Sequence, residues 1–296
     1  MPTVADVVSL LDTHYPPALA EDWDAVGLVC GDPDDEVRRV LFVVDVVEAT
    51  VDEALAAGAE LIVAHHPLLL RGVHGVAATN YKGRLVHRMI RGGVALHVAH
   101  TNADAANPGV SDALAGRLGL RNTRPLVSPP GAEPGIGIGR VGELATPLRL
   151  ADLLAHAAAV LPATTAGVRA SGDPDRMIGT VAVCGGAGDG FLGVATRAGA
   201  DAYLTADLRH HPASEHAETG GPALVDVAHW ASERPWLDDA AALLRDGLGA
   251  TTVETLVSDL VTDPWTLHGA PPAPSPLDEE TSSARESSPR RPAPPA

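Results

Sequence analysis

"LIVAHHPLLL" (61–70) runs an aliphatic stretch into two adjacent histidines and a proline. Neighbouring side chains of a β-strand point to opposite faces. His65 and His66 can therefore serve one site only if the strand ends at them. Pro67 supplies that end, because proline holds its predecessor extended and cannot continue a central ladder.

The surrounding chain repeats this plan. "RRVLFVVDVV" (38–47) reads as a buried strand, "EATVDEALAAGA" (48–59) as a helix closing near Gly58, and "KGRLVHRMIRGG" (82–93) as a helix ending at glycines. "VALHVAHTNAD" (94–104) is a strand running into a loop, and "GVSDALAGRLGL" (109–120) is a helix. After the Pro/Gly-rich joint 128–137 come strands over 138–144, 166–171 and 178–184, with a helix over 148–162. Alternation then resumes to residue 249. Nearly all-apolar strands alternating with helices imply a parallel sheet covered on both faces.

The two halves resemble each other. His65-His66-Pro67 recurs as His210-His211-Pro212, and the His100…Asp104 spacing recurs as His229…Glu233. The expected fold class is α/β: two similar three-layer α/β domains from an internal duplication, with a metal site between them. The expected boundaries are 1–127 and 128–268. A Pro-, Ser- and charge-rich tail (269–296) lacks the apolar residues to offset its ordering entropy, and is read as disordered.

Composition narrows the function. The 296 residues carry a formal net charge of −17, and Lys82 is the only lysine. An acidic surface repels phosphate backbones and offers no polybasic patch, so neither nucleic acid nor membrane is an expected partner. No apolar run reaches the roughly 20 residues of a membrane-spanning helix. The first residues lack a basic n-region and read as an amphipathic helix, so a cytoplasmic protein is expected. Cys30 and Cys184 are far apart and form no thiolate zinc pattern. A metal here must be held by nitrogen and oxygen.

In open α/β sheets, ligands bind beyond the carboxyl ends of the strands. His65, His66, His100, Asp104, His210, His211, His229 and Glu233 all fall at such ends in this reading. Histidine and carboxylate without thiolate suit Zn, Mn, Fe, Co or Ni. Adjacent histidines facing different ways suit two ions, which can activate a bridging water. "CGGAGDG" (184–190) either cradles a phosphate at a helix N-terminus or makes a tight turn. "WDAVGLVCGDP" (23–33) is either a rim loop or a buried connection packed by Trp23. No Ser-His-Asp arrangement or nucleophile elbow is visible.

"WDAVGLVCGDP", "LIVAHHPLL", "AHTNAD", "GIGRVGEL", "VAVCGGAGDG", "YLTADLRHH" and "AHWASE" occur in this order. Together they resemble the Nif-three family of dinuclear-metal hexameric proteins, often labelled GTP cyclohydrolase I type 2 homologues. The resemblance covers about residues 1–265. It implies two divalent transition-metal ions per chain, held by His65, His66, Asp104, His229 and Glu233. His100 and His211 would then be catalytic or substrate-facing groups. It also implies a homohexamer and a hydrolase that attacks a nucleotide-like small molecule through a metal-bridged hydroxide. The alternative is a non-catalytic metal-binding, regulatory or metal-delivery hexamer. The chain departs from the family at Ala25, where Asn is usual, and at Ala206-Asp207, where Gly-Glu is usual. Both departures bear on the substrate rather than on the ligands.

Overall fold

The computed structural model describes residues 1–249 and 252–269. In chain order the elements are α1 (Val4–His14), β1 (Gly27–Cys30), β2 (Arg39–Val43), α2 (Glu48–Ala57), β3 (Leu61–Ala64), α3 (Tyr81–Gly92), β4 (Ala95–Val98), α4 (Thr101–Ala105), α5 (Val110–Arg117) and β5 (Arg121–Val127). They continue with β6 (Ile138–Arg149), α6 (Leu150–Val160), β7 (Val168–Ser171), β8 (Met177–Ala187), α7 (Leu192–Arg197), β9 (Ala202–Ala206), α8 (His210–Glu218), β10 (Ala223–Val227), α9 (His229–Leu248) and β11 (Glu254–Val257).

Two mixed sheets result. The first has the order β1-β4-β3-β2-β11, and the second β5-β6-β8-β9-β10-β7. Strands β4, β3, β2 and β11 are parallel, as are β8, β9 and β10. The expectation of purely parallel sheets is corrected at the edges. There β1 and β7 pair antiparallel, and β5, β6 and β8 form an antiparallel meander.

Strand alternation decides the layers. Val40, Phe42, Leu61 and Val63 face a core shared with α1 and α9, whereas Leu41, Val43, Ile62 and Ala64 face α2 and α3. In the second sheet Val181, Val183, Leu204 and Val225 pack against α5 and α6, and Ala182, Tyr203 and Leu224 pack toward α7. Each sheet is thus covered on both faces, which is why its central strands tolerate no polar alternation. Helix ends follow local chemistry. Asn80 caps α3 by accepting from the Gly83 N–H, and Gly58 and Gly93 close α2 and α3 in the left-handed conformation.

The expected boundary at 127/128 falls between β5 and β6, two strands that pair with each other. The chain also returns to the first sheet at its end, where β11 pairs with β2. Residues Met1–Thr266 form one compact unit. Of the expected tail, 270–296 lie outside the described residues.

Arg140 ties α4 and α5 to β6. The residue is 1% exposed, yet every side-chain donor is used. It makes a two-pronged pair with Asp112, at 2.7 and 2.5 Å, and donates to the carbonyls of Gly137, Gly139 and Ala106. Removing one partner of a buried pair strands the other, at a cost of about 3–5 kcal/mol. Arg140→Met is therefore expected to lower the melting temperature by on the order of 10 °C. Thermal unfolding followed by circular dichroism checks this, and a shift under about 2 °C would remove Arg140 from that role.

Candidate metal centre

The strand ends where the paired histidines begin. β3 stops at Ala64, and the N–H groups of His65 and His66 donate to the successive carbonyls of Val43 and Val44. A pleated strand sends successive N–H groups to opposite sides, so this pattern marks a broken pleat. Both rings consequently turn the same way, with centroids 5.0 Å apart.

The other groups arrive from neighbouring strand ends. His100 follows β4, and its N–H donates to the Asn102 side chain, which in turn donates to the Tyr15 carbonyl. That local turn starts α4 and carries Asp104. His229 opens α9 directly after β10, and Glu233 lies one helical turn on, on the same face. Gly186, near the end of β8, has φ +68, and a Cβ there would sit 2.4 Å from Glu233 Oε1. Only glycine lets this backbone approach the carboxylate so closely.

Glu233 is 3% exposed and His65 fully buried. Glu233 Oε2 lies 3.0 Å from His66 Nε2. Its Oε1 lies 3.0 Å from His229 Nε2 and 3.4 Å from His65 Nε2. Asp104 Oδ1 is 3.8 Å from His65 Nε2. His65, His66 and His100 form one cluster of mutually close donor atoms, and His66, His229 and Glu233 another.

Four imidazoles are anchored through Nδ1. The acceptors are the Ala99 carbonyl for His65 (3.0 Å), Asp45 for His66 (2.7 Å), Asp24 for His100 (2.8 Å) and Asp207 for His229 (2.7 Å). An Nδ1–H held in this way leaves Nε2 as the ligand nitrogen, the usual arrangement of metal-binding histidines. Two further observations fit a cation. His65 Nε2, Asp104 Oδ1 and Glu233 Oε2 are buried without hydrogen-bond partners. His66 Nε2 and His229 Nε2 face each other at 3.3 Å. That is about the separation of two imidazoles on one tetrahedral ion with metal–nitrogen distances of about 2.0–2.1 Å.

Electrostatics agrees. Burial works against a charged Glu233, but the imidazoles of His66, His65 and His229 hold its carboxyl well below the usual range. Burial also works against charging His66 and His229, yet the Glu233 carboxylate prevails. It pushes His66 up to about 10 and His229 up to about 11. Asp104, in contrast, is raised by burial. Without metal, protons supply the cations that Glu233 requires.

The structure places His211 apart from the other expected site residues. β9 ends at Ala206, Asp207 turns the chain at φ 57, and His211 lies exposed in the first turn of α8 against His210. In its place stands Asp207, whose carboxylate holds His229. Trp23 is 57% exposed, in line with the rim-loop alternative for this segment. The residue of that loop that reaches the cluster is Asp24, through His100 Nδ1, and sequence reasoning missed it together with Asp45. A single aspartate carries no periodic signal. The glycine segment is a wall of the site: the N–H groups of Gly185 and Gly186 already donate to Ser111 and Ser232. Those two N–H groups, inside β8, are therefore not free for an anion.

A two-sheet α/β chain whose strand ends gather a histidine–carboxylate cluster matches one family. The model for Duf34/NIF3 (NGG1p interacting factor 3) covers residues 2–264, and the chain belongs to this family. A Streptomyces coelicolor protein named GTP cyclohydrolase 1 type 2 homolog is 54% identical over 273 residues, covering 91% of this chain and 96% of its own. Among solved structures, a Bacillus cereus protein related to NIF3 aligns with a TM-score of 0.83 at 25% identity, and a Staphylococcus aureus hypothetical protein at 0.81 and 28%. Each covers 90% of this chain and 99% of its own. No described helix is long and apolar enough to cross a membrane.

The raised histidines set a pH dependence. A group whose folded pKa exceeds its unfolded value near 6.5 stabilises fully below that value and loses its contribution as pH rises through the folded pKa. Metal-free protein should therefore lose stability from about pH 6.5 to about 11, through the values for His66 and His229. Protein supplied with a divalent transition metal should not, because ligand histidines are then neutral. Melting temperatures of both forms across this range check it. Parallel curves would contradict the charge assignment.

Proposed function

We propose that the chain is a metal-dependent hydrolase with two divalent transition-metal ions per chain, acting on a nucleotide-like small molecule. The observation that carries this reading is the position of Glu233, whose carboxylate lies within 3.4 Å of three histidine Nε2 atoms. One ion would take His66, His229 and Glu233; the other would take His65, Asp104 and Glu233. Nitrogen and oxygen donors without thiolate suit Zn, Fe, Mn, Co or Ni. When bound, such ions polarise a substrate oxygen and lower the pKa of water beside them.

The chain's own residues supply the remaining roles. The Glu233 charge offsets repulsion between two dications. Asp24 accepts from His100 Nδ1 and fixes its tautomer, which leaves Nε2 to take or deliver a proton. His100 is the acid–base group of this reading, and the exposed His211 has no part in it. The shared name of the relatives supports GTP as the first substrate to test, with attack at C8 of the guanine. A homohexamer, implied by the family resemblance, belongs to the same proposal.

Two measurements test it. Elemental analysis should find up to two ions per chain in wild type. Glu233→Gln should lower occupancy at both positions, whereas His65→Ala or His66→Ala should mainly empty one. Two tightly held ions in Glu233→Gln would end the bridging role. Metal-loaded protein should then turn over GTP, another nucleotide or a phosphodiester, with His100→Gln slower by about 10²–10⁴-fold. Absence of turnover across that panel would favour the non-catalytic metal protein. Gel filtration with light scattering checks the hexamer.

A further inference from the structure

The segment after the last strand returns to the metal centre. The Ser258 N–H donates to the Phe42 carbonyl at 2.9 Å, extending the pairing of β11 with β2. The Ser258 hydroxyl donates to Glu53 at 2.6 Å, which fixes the exit of the segment. Four residues on, the Thr262 hydroxyl donates to Asp45 Oδ2. The other oxygen of that carboxylate, Oδ1, accepts from His66 Nδ1.

The same construction occurs at His100. Asp24 accepts from His100 Nδ1 with one oxygen, and from the hydroxyl and N–H of Thr101 with the other. Asp24 and Asp45 are thus each held at both oxygens, one by the imidazole and one by a threonine. His65 needs no such clamp, because its acceptor is the fixed Ala99 carbonyl. His229 has only Asp207, which is exposed and makes no second side-chain bond among the described residues.

We propose that Thr262 is a positioning residue of the metal centre, fixing the Asp45 carboxylate so that His66 presents Nε2 to Glu233 and to an ion. The proposal rests on the metal reading above. A carboxylate bonded through one oxygen still rotates about Cβ–Cγ; a bond to the second oxygen removes that freedom. Asp45 is partly exposed, so without Thr262 its free oxygen turns toward water and the His66 ring loses its fixed orientation. His65, held by backbone, is unaffected. The segment beyond β11 therefore contributes to one ion position and not to the other.

The test compares Thr262→Val, which keeps the shape and loses the hydroxyl, with Thr262→Ser, which keeps the hydroxyl. Full-length protein is loaded with zinc, and release to a chelator is followed with a colorimetric indicator. Thr262→Val should release one of two ions about tenfold faster or more, and Thr262→Ser should match wild type. The melting temperature without metal should stay within about 2 °C of wild type, while the rise on adding zinc should shrink. Thr262→Ala repeats the measurement should the valine variant fold poorly. The proposal is overturned by wild-type release from Thr262→Val, by equal impairment of the Val and Ser variants, or by an equal loss of melting temperature with and without zinc. Wild-type protein that takes up no zinc would refute the metal reading itself, and would do so before any variant is made.

Discussion

A carboxylate withdrawn almost wholly from water is the constraint on which this molecule is built. Glu233 sits in a low-dielectric interior, where an unpaired negative charge is untenable. It must be met by positive charge, whether protons on imidazoles or bound ions. Several features of the fold serve that demand. The pleat breaks after Ala64 so that two consecutive histidines turn inward. α9 begins at His229, so that its first turn projects an imidazole and the carboxylate together. The backbone at Gly186 gives up a side chain to make room.

The supporting structure keeps these parts in register. Arg140 joins the end of α4, which carries Asp104, to β6 of the second sheet. Tyr15 and Trp236 pack edge to face, and Trp236 backs the His65 ring at 5.3 Å. The donors are therefore presented by parts already fixed through core packing. Such a site would bind an ion without first spending interaction energy on ordering loops.

Much of this was legible in the sequence, because the signals were periodic or paired. Apolar runs marked the central strands, glycines marked helix ends, and the i, i+4 spacing of His229 and Glu233 required only that a helix start there. The edge strands β1 and β5 escaped because their burial is partial: β1 is half-exposed along its length, and β5 is exposed over its first four residues. β11 escaped because a four-residue strand after a long helix has no turn partner nearby in sequence. The repeat misled at His210-His211. There, the backbone turn at Asp207 places the second pair on the outside of a helix. Asp24, Asp45 and Asp207 were invisible as anchors, since each acts through a hydrogen bond across 21 to 76 residues of chain.

The order of the donors along the chain has a consequence for synthesis. His65, His66, His100 and Asp104 emerge from the ribosome well before His229 and Glu233. The early residues can form most of the first sheet, but its edge strand β11 and the covering helix α9 come last. During translation the nascent protein thus displays several imidazoles without the acid that organises them. An ion captured then would be held loosely and remain exchangeable with its surroundings. In the metal reading, tight retention would require α9 to dock, because only α9 brings His229 and Glu233 to the histidines of the first sheet.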